Sequence, residues 1–108
     1  MSSTTITRGN AHETFYISPS LSPTAVAAYT SAVQTFSVPG LQTSDLVMVI
    51  GAIGVQTVGI LPGEADCYTA GILSLQFLNV TNASATPAQG AYAIQIVRIE
   101  GSMPATAV

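Results

Sequence analysis

The chain has almost no charge. Only Arg8, Glu13, Asp45, Glu64, Asp66, Arg98 and Glu100 are ionised at neutral pH, and lysine does not occur. Charged residues make up 6% of the sequence, against about 25% in an ordinary soluble domain. A solitary domain relies on a charged, patch-free surface to stay dispersed. This shortage therefore predicts a surface that is largely covered, by further copies of the chain or by a larger assembly. The net charge is −3, and Arg8 and Arg98 are the only fixed cations. They leave no electrostatic footprint for a phosphate backbone, so no nucleic-acid partner is expected. Anionic membrane surfaces are not expected as partners for the same reason.

Other shortages narrow the reading further. Cys67 is the single cysteine, which excludes an internal disulfide framework and suits folding in a reducing cytoplasm. Tryptophan is absent, leaving little to stack on bases. Met1-Ser2-Ser3-Thr4-Thr5 holds no basic stretch leading into an apolar one, so no signal peptide is expected. The longest apolar run, Leu46 to Val55, is interrupted by Gly51 and Gly54. A membrane helix needs about twenty apolar residues, so no span is expected.

What remains is rich in β-formers and turn residues. At 108 residues the chain is read as one domain, long enough to bury roughly two-thirds of its unfolded surface. Residues 1–11 are small and polar and read as an extended arm. His12 to Ser18 has strand composition. Ser18 to Pro23, with two prolines and three serines, reads as a loop. Thr24 to Tyr29 is compatible with a short helix capped by Thr24, but Tyr29 to Val38 alternates and favours strand, with Gln34, Phe36 and Val38 on one face. Pro39-Gly40 marks a tight turn.

Asp45 to Val55 reads as a strand buried on both faces or at an interface. Gln56 to Leu61 reads as another, closed by a turn at Pro62-Gly63. Ile72 to Val80 is the strongest candidate, with Leu73, Leu75 and Phe77 opposite Ser74, Gln76 and Leu78. Thr81 to Gly90 is a loop. Ala91 to Ile99 is the last strand, with Tyr92, Ile94 and Ile96 on one face, and 101–108 a small-residue tail. Short strands at this spacing, with Gly/Pro turns between them, predict an all-β fold: a single antiparallel β-sandwich over 12–100, jelly-roll or Ig-like.

From Gln34 onward the pattern resembles a known group. Thr35-Phe36-Ser37-Val38-Pro39-Gly40-Leu41 forms a T-F-x-V-x-G-L turn, and Asp45 leads the apolar strand Leu46-Val47-Met48-Val49. Phe77-Leu78-Asn79-Val80-Thr81 gives F-x-N-x-T, then Thr86-Pro87 and a closing strand Ala91 to Arg98 rich in Val and Ile. This resembles the small β-sandwich structural proteins of tailed-phage virions, which occur as capsid decoration (cement) proteins, head fibres and tail-associated modules. The resemblance covers residues 34–98. It departs at Glu64-Ala65-Asp66-Cys67-Tyr68, where the family often carries an arginine, so charge contacts of that edge do not transfer. The resemblance implies a homotrimer on a capsid lattice, made in the host cytoplasm, touching the major capsid protein and reaching neighbours with its arms.

No residue pattern points to catalysis, a cofactor or a metal, and no enzyme is expected. His12, the single histidine, neighbours Glu13, but adjacent strand residues face opposite ways, leaving no acid–base pair. Cys67 lies among Glu64 and Asp66, whose charge makes a thiol a poorer nucleophile, so a small buried hydrophobe is expected. Glu64 and Asp66 share a strand face, but calcium takes six or more oxygens. Asp45 is expected to accept backbone N–H groups of the Gln42-Thr43-Ser44 turn. Gly51-Ala52-Ile53-Gly54 lacks the Lys-Ser/Thr pair of a phosphate cradle. Asn79-Val80-Thr81 and Asn82-Ala83-Ser84 match glycosylation triplets, which are common by chance. Two functions follow as expectations: a virion decoration protein, or a binding module whose loops at Ser18–Pro23 and Thr81–Gly90 recognise a host-surface glycan. Those loops hold no aromatic platform.

Overall fold

The computed structural model describes residues 10–101 and 103–106. Its strands are β1 (Ala11–Ile17), β2 (Ser20–Leu21), β3 (Ser31–Ser37), β4 (Leu46–Ala52), β5 (Ile60–Thr69), β6 (Ile72–Asn79) and β7 (Gly90–Ile99). No helix occurs among the described residues. Two antiparallel sheets pack as a β-sandwich. One holds β1, β2, β4 and β7; the other runs β3–β6–β5.

β7 and β6 are the central strands, and their composition explains why. β7 alternates Tyr92, Ile94 and Ile96 inward, and β6 answers with Leu73, Leu75 and Phe77; all six are buried. Phe77 and Tyr92 meet edge to face, with centroids 6.1 Å apart and planes at 71°, the arrangement ring quadrupoles favour. Ile96 pairs with Phe15 of β1 and with Val47 of β4, so these strands occupy opposite edges of β7. β2 prolongs the β1 edge: Ser20 pairs with Ala91, and Tyr92 N donates to Pro19 O at 3.0 Å.

Three expectations are corrected. Pro62-Gly63 does not close a strand over Gln56 to Leu61; it lies inside β5, which starts at Ile60. β5 is an edge, where proline's missing N–H costs no ladder bond, and the register shift between Pro62 and Ala65 absorbs the irregularity. The Ser18–Pro23 loop contains β2, because Ser20 and Leu21 find partners at the start of β7. The strand after Asp45 ends at Ala52, with a register shift between Val49 and Gly51. It is not buried on both faces: Val47 and Val49 pack on the core, while Leu46, Met48 and Ile50 are exposed. The arm expected over 1–11 lies outside the described residues except for Asn10 and Ala11, and Ala11 already belongs to β1.

Candidate functional site

The outer face of the β1–β7–β4 sheet follows from strand alternation. With Tyr92, Ile94 and Ile96 turned inward, Gln95 and Val97 of β7 point out. The register sets Thr14 and Leu46 beside Val97, and Tyr16 and Met48 beside Gln95. Tyr16 is 66% exposed, and Met48 and Ile50 are each 59% exposed. Gln95 Nε2 donates to Tyr16 Oη at 3.3 Å. A shallow depression of about 200 Å³ lies over Leu46, Val47, Met48, Gln95 and Val97. No charged side chain belongs to these rows. Beyond β4 the chain stays apolar and exposed at Ile53, Val55 and Val58.

The charges have gone elsewhere. Arg98 follows Ile96 on the inward face and sits at the mouth of the sandwich. Its Nε donates to Asp45 Oδ1 at 3.0 Å and its Nη2 to Gly40 O at 2.7 Å. Its Nη1 lies 3.5 Å from Glu13 Oε1, and its guanidinium stands 5.0 Å from the Phe15 ring centre. Asp45 Oδ2 accepts the Gln42 N–H at 2.9 Å, as the turn chemistry predicts. The Asp45 side chain is wholly buried. This cluster locks the Pro39–Asp45 connection to β1 and β7. Glu64 and Asp66 lie on the opposite sheet, in a hollow with Val33, Tyr68, Ser74 and Gln76. There Tyr68 Oη donates to Asp66 Oδ2 at 3.0 Å, and that bond, followed by the Asp66 charge, raises the phenol's pKa.

The remaining candidates separate in space. His12 is exposed on β1, while Glu13 turns to Arg98. Cys67 is buried and its Sγ donates to Thr69 O at 3.1 Å. Among the described residues no three His, Cys, Asp or Glu side chains converge. Asn79 of the first glycosylation triplet is buried: its Nδ2 donates to Val26 O and Ala83 O, both at 2.9 Å, and its Oδ1 accepts from Thr81 N at 2.9 Å. It ties the loop after β6 to the segment before β3. A second knot joins Gln56 Nε2 to Tyr92 Oη at 3.0 Å, and Tyr92 Oη donates to Ala88 O at 2.7 Å. Neither knot was legible in the sequence, since each depends on a distant partner: Val26 for Asn79 and Gln56 for Tyr92.

No family model, curated protein or solved structure matches this chain. The surface and its chemistry therefore carry the functional reading.

One more surface residue stands out. Tyr29 is 72% exposed and sits at φ +56, a left-handed conformation uncommon for a bulky side chain. Its N–H donates to Thr81 O at 3.2 Å. A groove of about 350 Å³ lies beside it, lined by Tyr29, Thr30, Ser31, Leu78, Asn79 and Val80.

Proposed function

We propose that the chain is a structural protein of a virion, a capsid decoration or cement protein covered on assembly by its own copies and by a major capsid protein. The single observation that supports this is the uncharged outer face of β1, β7 and β4. Burial of apolar area gains about 25 cal/mol per Å², and no ion has to be desolvated to cover this face. A charge there would cost several kcal/mol when buried unpaired. The resemblance of residues 34–98 supplies the concrete setting. Native mass measurement of the purified chain, with a test of co-purification with particles, checks the reading. An oligomer that binds particles is expected; a dispersed monomer that never associates with them would end it.

Tyr29 favours a second reading, a glycan-binding module. Its ring stands exposed beside Thr81, at the start of one of the two candidate loops, and supplies a stacking surface those loops lack by themselves. A glycan array with the wild type and Tyr29→Ala tests it. Binding lost in the variant would support this reading, and no binding by the wild type would remove it.

A further inference from the structure

The free edge of β4 matches a second copy of itself. In an antiparallel ladder each residue directs its N–H and C=O to the same neighbour, and successive residues alternate. Ala91 O of β7 accepts from Ile53 N at 2.9 Å, on the β4 side. Tyr92 N donates to Pro19 O at 3.0 Å, on the β1–β2 side. Odd-numbered residues of β7 thus bond toward β4. Leu46 stands opposite Val97 and Met48 opposite Gln95, so these two residues of β4 use their backbone groups on β7. Val47 and Val49 direct theirs to the outside, and no described strand pairs with that edge.

Two of the other edges carry features that discourage strand addition: charge, proline and bulges. β1 has His12, Glu13 and a register shift between Ala11 and Glu13. β5 has Pro62, Glu64, Asp66 and two register shifts. β3 is neutral but shows mostly hydroxyls outward, from Ser31, Thr35 and Ser37. β4 before its bulge has none of these, and no charge occurs from Leu46 to Gly63.

We infer that β4 pairs antiparallel with β4 of a second copy about a two-fold axis at Met48. Val47 then faces Val49 of the second copy, with the outward N–H and C=O of both engaged. Met48 lies against its counterpart, and Leu46 against Ile50 of the second copy. Every cross-strand pair is apolar, the kind of pair that stabilises a ladder. Sliding the strands by two residues is worse in either direction. One slide sets Val49 against Asp45, whose carboxylate is held by Arg98; the other sets Val47 against Gly51 in the bulge. The pairing brings Leu46, Met48 and Ile50 of both copies onto one doubled apolar face, which is then presented to the shell.

This inference rests on the reading that copies of the chain associate, and it replaces the implied trimer with an isologous pair, which closes at two. Amide hydrogen exchange on the full chain tests it. At high concentration the Val47 and Val49 amides are expected to exchange about 100-fold more slowly than unpaired amides, and to lose that protection on dilution. Native mass should show pairs. Val47→Pro removes an outward donor while leaving the β7 ladder intact, and is expected to be a folded monomer by circular dichroism. If that variant does not fold, the wild-type exchange decides. Unprotected Val47 and Val49 amides in an associated protein, or a cyclic trimer, would overturn the edge pairing and leave the covered-surface reading standing. A monomer at all concentrations would overturn the edge pairing, and one that also never binds particles would overturn both.

Discussion

Arg98 is the side chain on which one end of the sandwich depends. Removing its charge leaves Asp45, whose side chain is wholly buried, without a counter-ion. Losing one partner of a buried pair costs about 3–5 kcal/mol. Arg98→Met should therefore lower the unfolding free energy by an amount in that range, read as a lower urea midpoint with m unchanged. Tyr92 sets a different limit. Burial raises its pKa above the ordinary 10.0, and the hydrogen bond from Gln56 only partly offsets this. The folded state thus disfavours the phenolate. Its contribution is complete below pH 10 and is lost as pH rises toward and through the raised folded value. Stability measured across the alkaline range should fall from about pH 10 upward, and Tyr92→Phe should flatten that fall.

At the level of strands, the connections are as constrained as the sheets. Gly59, just before β5, has φ +83, and a Cβ there would run into the Cγ2 of Thr81. Thr81 is itself held by Asn79, with its Oγ1 donating to Asn79 Oδ1 at 2.6 Å, so it has little freedom to move aside. Gly59→Ala combines a strained φ with a fixed obstacle and should destabilise by more than about 1 kcal/mol, read as a fall in thermal midpoint. Gly40, at φ +92 with open space around it, should cost only the conformational strain when replaced. Gly40 belongs to the Pro39-Gly40 turn signal, whereas Gly59 falls inside the strand expected over Gln56 to Leu61; only the packing shows that the second is the costlier one to replace.

Across the whole molecule, the two outer faces differ in character. The β3–β6–β5 face carries Glu64 and Asp66, whereas the β1–β7–β4 face carries no charge. Association through the second face should be insensitive to sodium chloride, because no exposed ion pair is there to be screened, and should strengthen in sulfate, which favours burial of apolar surface. Met48→Glu places a carboxylate on β4, at the edge of that face where two copies would meet. Its expected effect is dissociation to monomer with an unchanged circular dichroism spectrum, measured by native mass. Full association of the folded variant would show that β4 is not the contact between copies.

The sequence by itself determined the scarcity of charge, the strand content, the inward sets on β6 and β7, and the Asp45 turn. These are local properties: alternation of apolar residues sets a strand's two faces, and a carboxylate three residues after Gln42 reaches its own turn. Only the tertiary structure decided the rest. Ten apolar residues from Leu46 to Val55 look alike whether the strand is central or at an edge. Two-layer packing leaves Met48 and Ile50 exposed on the outer face while Val47 and Val49 pack on the core, and placing β4 at an edge beside β7 leaves the backbone N–H and C=O of Val47 and Val49 directed outside. Pro62 reads as a strand end until β5 is seen to be an edge that needs no N–H there. Arg98 and Asp45 are 53 residues apart, and no pattern along the chain joins them. A period of two specifies two faces for each strand, but not which neighbour, or which partner molecule, covers the second.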